Sequence, residues 1–266
     1  MKIAITGKGG TGKTTIAAVQ SHFFKNSGYE VLAVDADPDA NLAEALGAPE
    51  EQLASLIPIS AQRRLIQERT GANPRQFGQL FKLNPTVNDI PDNFCVSVRG
   101  IKVLVMGSIK RGGDGCACPE NVILRSLLSE ILLNRNEVIL VDMEAGIEHL
   151  GRATAQSIDT MLIVVEPGQR SIQTAKAILR LGEDIGIEKF GIIANKIRSE
   201  EQSLWIQQQF SDEQFLGSLY YSSLIANSDM TGQLLFDNLD SKLKKEFQTI
   251  YSTLTRTYPS GRFSST

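Results

Sequence analysis

The sequence predicts a single α/β domain in which a mostly parallel, twisted sheet is flanked by helices on both faces. Apolar runs of strand length recur along the chain, and amphipathic segments of helix length separate them. These runs are apolar at nearly every position, which is typical of strands buried on both faces. The chain has 266 residues, 42% hydrophobic and 21% charged, which suffices for one large core. Without a visible linker, repeat or low-complexity tract, we expect residues 1–266 to form one domain.

The first part of the chain begins regularly and then becomes irregular. Residues 2–6 are predicted as a strand, residues 13–27 as a helix that Gly28 ends, and residues 31–35 as a second buried strand. Short helical pieces are predicted at residues 42–46, 61–70 and 77–80, in a stretch that prolines interrupt repeatedly.

Strand and helix alternate again in the rest of the chain. Residues 94–98 and 101–106 are predicted strands, joined by a tight hairpin turn at Arg99-Gly100, so one of them is expected at an antiparallel edge. A glycine-rich loop at 107–118 precedes a predicted helix at 119–134. Further strands are expected at 137–142, 160–165, 190–194 and 215–219, and helices at 171–185 and 239–258.

Composition argues against several functional classes. A net charge of −3 offers no bulk attraction to nucleic acid or anionic membrane, and no apolar run approaches the ~20 residues that span a bilayer. A signal peptide is not expected, because Gly7 opens a loop where the apolar stretch should continue. We therefore expect a cytoplasmic protein with reduced thiols at Cys95, Cys116 and Cys118, and neither a nucleic-acid nor a membrane partner.

The loop after the first predicted strand matches the pattern G-x-x-x-x-G-K-[ST]. Its residues are Gly7, Lys8, Gly9, Gly10, Thr11, Gly12, Lys13, Thr14 and Thr15. Glycines let backbone N–H groups face phosphates, and the following helix directs its positive N-terminus at the same charge. The motif assigns Lys13 to the β- and γ-phosphates and the Thr14 hydroxyl to Mg²⁺. The loop therefore predicts a P-loop NTPase with ATP and Mg²⁺, not an ordinary glycine-rich turn.

Acidic residues stand at the ends of two predicted strands. Asp35 ends one strand and is followed by Asp37 and Asp39, and Asp142 ends another. Since the carboxyl ends of parallel strands meet at one crevice, these carboxylates are candidates to hold Mg²⁺ waters or to orient the attacking water. The alternative, strongest for Asp39, is that they cap helices or turns.

A further polar pair, Asn195-Lys196, follows the predicted strand 190–194. A side-chain amide at this edge of the sheet is placed to pair with a purine edge. The alternative is that Asn195 is a turn residue.

Lys8, one residue after the first glycine, makes the loop resemble that of the deviant P-loop family, which includes MinD, ParA, nitrogenase iron protein and arsenite-pump ATPases. In that family two subunits face each other across two nucleotides. The resemblance implies a homodimeric ATPase in which Lys8 contacts the partner's phosphates, much as an arginine finger does. It also implies that Asp37 positions the attacking water and that Asp142 is the Mg²⁺-side acid.

Three further segments, 34–42, 116–121 and 142–150, resemble the nickel-insertion accessory proteins of carbon monoxide dehydrogenase. The discriminating parts are the Cys-x-Cys of Cys116 and Cys118 and the pair Glu148-His149. The resemblance runs from residue 1 to about residue 221. It implies a metallochaperone that uses ATP to deliver Ni²⁺ to the apo-enzyme.

The two neighbouring cysteines also suggest how a metal could be held. One Cys116–Cys118 pair supplies two thiolates, whereas a closed Zn²⁺ site or a tight Ni²⁺ site usually has four strong ligands. A two-fold dimer would bring two such pairs together, so we expect Ni²⁺ or Zn²⁺ between subunits. The alternative is two incidental loop cysteines. Cys95 is predicted as a small core residue in a strand, and Glu148 and His149 are weaker ligand candidates.

Other functions remain open at this point. The same machine could serve acetyl-CoA synthase instead. A ParA- or MinD-like spatial organiser would need a membrane helix or a basic DNA-binding face, and neither is visible in the sequence. An electron-donating reductase with a cluster bridged by the cysteines would be brown and would contain iron and sulfide.

Overall fold

The computed structural model describes residues 1–72, 80, 82–107, 119, 122–123, 126–127, 136–144 and 157–258. The strands are β1 (Lys2–Gly7), β2 (Glu30–Ala36), β3 (Val96–Val98), β4 (Ile101–Val105), β5 (Glu137–Met143), β6 (Thr160–Val165), β7 (Phe190–Ile197) and β8 (Phe215–Tyr220). They form one eight-stranded sheet in the order β3-β4-β2-β5-β1-β6-β7-β8. Only the β3–β4 pairing is antiparallel among these strands, so the predicted mostly parallel sheet is confirmed.

Helices cover the sheet on both faces, as predicted. They are α1 (Lys13–Asn26), α2 (Leu42–Ala45), α3 (Glu50–Ser55), α4 (Arg63–Thr70), α5 (Ile90–Asn93), α6 (Gln169–Ile185), α7 (Glu200–Gln207), α8 (Ser223–Thr231) and α9 (Ser241–Thr257), with 3₁₀ turns at Ile59–Ala61 and Leu235–Asn238. None of these helices combines the length and the apolar character that crossing a bilayer requires.

Two apolar layers sandwich the sheet, because successive strand side chains point to opposite faces. In β1, Ile3 and Ile5 pack in the layer that contains α1 and α9, whereas Ala4 belongs to the layer that contains α6. Both layers are buried, and this explains why the sequence shows continuous apolar runs instead of alternation. The sheet is therefore a rigid support for the loops at its carboxyl edge.

The hairpin before the glycine-rich loop is partly as predicted. Arg99 (φ 50°) and Gly100 (φ 80°) are both left-handed, as a tight turn between β3 and β4 requires, and β3 is the antiparallel edge strand. The prediction of a strand over 94–98 is wrong at its start. Pro91 lies in the first turn of the short helix α5, so β3 begins only at Val96 and Cys95 precedes it.

Other predicted elements differ at their ends or fall outside the description. The helix predicted at 61–70 begins at Arg63, and the helix predicted at 239–258 covers Ser241–Thr257. Within the predicted helix 119–134, the described residues 119, 122–123 and 126–127 are helical. Leu80 is described and is not helical, while the rest of the predicted helix 77–80 and all of loop 107–118 except Gly107 lie outside the described residues.

Candidate nucleotide-binding site

The glycine-rich loop lies at the carboxyl edge of the sheet, between the central strand β1 and helix α1. Asp35 of β2 and Asp142 of β5 pair in register at the same edge, and Ile5 of β1 pairs with Asp142 on the other side. The neighbouring strands β6 and β7 bring Glu166 and Asn195 to this edge. The fold thus gathers polar residues that are far apart in sequence around one loop.

Two glycines of the loop sit where a side chain would not fit. Gly12 has φ +93°, and a Cβ there would lie 2.5 Å from Asn195 Nδ2. Gly7 has φ +148°, and its Cβ would lie 2.4 Å from the backbone oxygen of Val164 in β6. At both positions the backbone has a conformation that L-residues rarely adopt, and atoms of a neighbouring strand lie too close for a Cβ. The glycines therefore let β6 and β7 press against the loop.

Hydrogen bonds hold the loop from the β7 side. Asn195 Nδ2 donates to the Thr11 carbonyl at 2.7 Å, and Lys196 Nζ donates to the Gly10 carbonyl at 2.5 Å. Within the loop, Thr11 Oγ1 donates to the Lys8 carbonyl at 2.8 Å. The Lys8 carbonyl also accepts from the Thr11 N–H at 3.3 Å. Because all these bonds end on carbonyls, the other N–H groups between Lys8 and Gly12 are left for an anion.

The position of the Asn195-Lys196 pair corrects one prediction. Both residues lie inside β7, not after it, because β7 continues to Ile197, which pairs with Tyr220. A register shift between Ala194 and Ile197 and the left-handed φ of Lys196 (58°) mark a local irregularity that turns the pair toward the loop. Asn195 is 5% exposed and serves first as an anchor of the loop; it also lines the adjoining cleft.

Lys13 is a buried cation at the first residue of α1. It is 7% exposed, and its ammonium makes no hydrogen bond or ion pair with any residue that the structure describes. The N-terminus of α1 has no side-chain cap either. The charge of Lys13 does act on Asp142, where it opposes part of the rise in the carboxyl pKa. A buried charge without a directly bonded partner is costly, and an uncapped helix N-terminus adds positive potential. The arrangement suits an anionic ligand such as a phosphate chain.

An acidic pair completes the site on the β2–β5 side. Thr14 Oγ1 donates to Asp142 Oδ2 at 2.6 Å, while Asp142 Oδ1 is buried with no hydrogen-bond partner. Burial raises the pKa of Asp142 to about 7, and the charge of Asp35 adds to this effect. An orphaned carboxylate oxygen beside a hydroxyl is a donor set that suits Mg²⁺, so these residues fit the cation that the motif implies.

Asp35 itself organises the segment that follows β2. Its Oδ2 accepts a hydrogen bond from Leu42 N at 2.9 Å and its Oδ1 accepts one from Asp37 N at 3.2 Å, while burial raises its pKa to about 6. Asp37 Oδ1 accepts from Asp39 N at 3.0 Å, and Asn41 donates to the Asp39 carbonyl. Asp39 is exposed and contributes only backbone groups here, which matches the turn alternative.

Sequence analysis missed one acidic residue of the site. Glu166 follows β6 directly, and its Oε1 lies 3.3 Å from Lys8 Nζ while its Oε2 lies 3.5 Å from Lys196 Nζ. The signal was present, because an acid at the carboxyl end of an apolar run is the same pattern that indicated Asp142.

A cleft of about 570 Å³ adjoins the loop and α1. Its far wall is formed by Tyr221, Ser222, Ile225 of α8 and the segment 232–235. None of these residues was among the predicted site residues. Helix α8 was missed because its sequence lacks a clear amphipathic period; its start is marked by Ser222, whose hydroxyl accepts from Leu224 N. The cleft is large enough for a nucleoside next to the phosphate-binding loop.

The residues predicted to hold nickel or zinc lie in another part of the chain. Cys116, Cys118, Glu148 and His149 all lie outside the described residues. Within the described part of the chain, no group of three or more His, Cys, Asp or Glu side chains is arranged to hold a metal ion. Cys95 is half-buried and packs against the apolar layer of α6, and burial raises the pKa of its thiol to about 12. The prediction of a core residue in a strand is therefore only partly correct, because Cys95 precedes β3.

Comparisons with known proteins agree with this geometry. Residues 2–236 match the family model of the CobQ/CobB/MinD/ParA nucleotide binding domain. The carbon monoxide dehydrogenase accessory protein CooC of Rhodospirillum rubrum is 48% identical over 237 residues, 89% of this chain and 90% of that protein. An uncharacterized ATP-binding protein of Methanocaldococcus jannaschii is 45% identical over 255 residues, 95% of this chain and 96% of the relative.

A solved structure has the same fold. The septum site-determining protein MinD of Pyrococcus horikoshii, complexed with Mg-ADP, superposes with a TM-score of 0.65 at 19% identity, covering 95% of each chain.

Proposed function

Since the chain belongs to the CobQ/CobB/MinD/ParA nucleotide-binding domain family, we propose that it is an ATPase that binds nickel and inserts it into apo carbon monoxide dehydrogenase, with nucleotide-dependent dimerisation. The observation that carries this proposal is the 48% identity with CooC over 89% of the chain. That similarity extends over 90% of the relative, well beyond the nucleotide-binding motif.

ATP is the proposed substrate of the loop and the cleft. The loop N–H groups and the N-terminus of α1 bind the phosphate chain, and Lys13 stabilises the charge that develops on the transferred phosphoryl group. The nucleoside occupies the cleft beside Asn195 and Lys196, which line it together with Tyr221. Thr14 and Asp142 would hold Mg²⁺, which when bound neutralises phosphate charge. Asp37 orients the attacking water, and Asp35 holds the backbone of Asp37 through a hydrogen bond.

Dimerisation completes the proposed catalytic site. Each subunit supplies Lys8 to the partner's phosphates, so hydrolysis is slow in the separate subunit and faster in the dimer. We also propose that residues 1–266 act as one domain. In support, α9 lies beyond the family match, yet its Phe247 and Ile250 pack in the same apolar layer as Ile16 of α1 and Leu216 of β8.

Nickel is the proposed cargo, held by Cys116 and Cys118 of both subunits. Four thiolates on the two-fold axis would bind one ion, and Zn²⁺ would compete for them. Dimer closure with ATP assembles the site and hydrolysis opens it, which couples nucleotide turnover to metal release. A cytoplasmic location is part of the proposal, because a reducing compartment keeps these thiols free.

The test is size-exclusion chromatography with metal analysis on anaerobically prepared protein, with and without Ni²⁺ and with ADP or AMP-PNP. We expect about one Ni²⁺ per dimer and more dimer with AMP-PNP than with ADP. The matched variants are Cys116→Ser/Cys118→Ser, which should lose the metal, and Cys95→Ser, which should keep it. Unchanged nickel in the double variant would refute the thiolate site.

The client is tested by activation. Nickel-loaded protein with ATP should activate apo carbon monoxide dehydrogenase, and the same protein with ADP should not. Activation of apo acetyl-CoA synthase alone would reassign the client. Brown protein containing iron and sulfide would instead favour a reductase.

A further inference from the structure

Glu166 occupies a fixed position between two lysines of the nucleotide-binding site. It follows the last residue of β6, and its backbone N–H donates to Ser171 Oγ at 3.1 Å in α6. Its two carboxylate oxygens are divided between the lysines, Oε1 at 3.3 Å from Lys8 Nζ and Oε2 at 3.5 Å from Lys196 Nζ. Glu166 is therefore an anchored acceptor that links the start of the loop to the end of β7.

This contact conflicts with a role for Lys8 across a dimer. The Lys8 ammonium is directed to an acid of its own subunit, so it must leave Glu166 before it can reach a partner's phosphates. The contact is suited to opening, because the side chains of Lys8 and Glu166 are 40% and 25% exposed and water screens such pairs. If Lys8 moved away, the Glu166 carboxylate would still have a cationic partner, because Lys196 lies beside it.

We propose that Glu166 is a positioning residue that holds Lys8 over its own loop in the separate subunit and releases it when two nucleotide-loaded subunits meet. This inference rests on the proposed function, in which Lys8 acts across the dimer. Glu166 thereby disfavours dimerisation and sets the nucleotide and protein concentrations at which the subunits pair.

The test is the dimer dissociation constant of Glu166→Gln, measured by sedimentation velocity with AMP-PNP and Mg²⁺. Glutamine keeps the shape and removes the charge. An ion pair of this exposure changes an equilibrium constant by up to about fivefold. Two such pairs are broken when a dimer forms, so we expect the dimer dissociation constant of Glu166→Gln to be roughly 2- to 25-fold lower. Glu183→Gln is the matched control: it removes the same charge from an exposed position on α6 and should stay within about twofold of the unmodified protein. Glu166→Asp, which keeps the charge on a shorter side chain, should give an intermediate value.

The possible outcomes distinguish the proposed role of Glu166 from structural damage and from a failure of the proposed function. Tighter dimerisation is a result that mere structural damage would not produce, and thermal unfolding of each variant checks the fold. Equal constants for Glu166→Gln and Glu183→Gln would overturn the inference and leave the proposed function standing. A weaker dimer with unchanged unfolding temperature would also overturn it, because Glu166 would then be an acceptor within the dimer. If the unmodified protein stays monomeric with AMP-PNP, the dimeric function itself fails, and the inference fails with it.

Discussion

Replacing Gly12 by alanine tests whether β7 presses against the nucleotide-binding loop as the geometry indicates. Two separate costs are expected. The left-handed backbone of Gly12 costs about 1–2 kcal/mol for any residue with a Cβ. The new methyl group would lie 2.5 Å from Asn195 Nδ2, so Asn195 must move and lose its hydrogen bond to the Thr11 carbonyl. Losing such a bond at a buried amide costs about 1–3 kcal/mol.

The two costs are partly offset by the lower flexibility of alanine in the unfolded chain, about 0.4–1 kcal/mol. We expect Gly12→Ala to lower the free energy of unfolding of the nucleotide-free protein by roughly 2–4 kcal/mol. At about 2 °C per kcal/mol for a chain of this size, the melting temperature should fall by roughly 4–8 °C.

Two other loop glycines separate the contributions. Gly10 also has a left-handed backbone (φ +78°), but nothing lies within 4 Å of a Cβ placed there, so Gly10→Ala should show the backbone cost alone. Gly9 has open space as well and no left-handed φ, so Gly9→Ala should be near neutral. Calorimetry of the three variants without nucleotide is the assay. If Gly12→Ala is no more destabilising than Gly10→Ala, the contact with Asn195 contributes nothing and the reasoning is refuted.

The remaining predictions concern charge and thiol chemistry. Lys13→Met should weaken binding of a fluorescent ATP analogue at least about 100-fold and leave the melting temperature of the nucleotide-free protein equal or higher, because it removes a buried charge that makes no hydrogen bond; a lower melting temperature would show that the attraction between Lys13 and Asp142 outweighs the cost of burying the ammonium. Asp142→Asn should abolish the Mg²⁺ dependence of nucleotide binding without unfolding the protein, which a titration with and without EDTA measures; retained Mg²⁺ dependence would remove Asp142 from the cation site. In Cys116→Ser/Cys118→Ser protein, the remaining Cys95 should react with iodoacetamide at pH 8 at least about 100-fold more slowly than in guanidinium, because burial raises its pKa to about 12; equal rates would show that the thiol is free.

The fold was predictable because its strands are buried on both faces. The run 160–165 was predicted with the bounds that β6 has, since every residue after Thr160 is apolar up to Val165. The end of β7 was not predicted, because Asn195 and Lys196 are polar. They nevertheless lie within the strand, where Asn195 forms its hydrogen bond to the loop. Helix α8 was missed for a related reason: it borders a cleft, and its residues lack the period of a helix that faces a core.

The site was predictable where a motif or a strand end specifies it. The loop and Asp142 follow that logic, and Glu166 would have followed from the same rule. Tertiary pairing, by contrast, decides that Asn195 donates to Thr11 or that Glu166 lies between two lysines, and no local pattern encodes such distances. The roles of Cys116 and Cys118 stay predictions of the sequence.

The two hydrogen bonds from β7 to the loop have a consequence for the timing of nucleotide exchange. Because Asn195 and Lys196 hold the Thr11 and Gly10 carbonyls, the phosphate cradle is already ordered and loses little conformational entropy when a nucleotide arrives. The same hydrogen bonds restrict the movement of the loop when a bound nucleotide dissociates. In the proposed ATPase, release of ADP would then depend on the opposite wall of the cleft, formed by α8 and the segment 232–235, and so would the delay before the subunit binds ATP again.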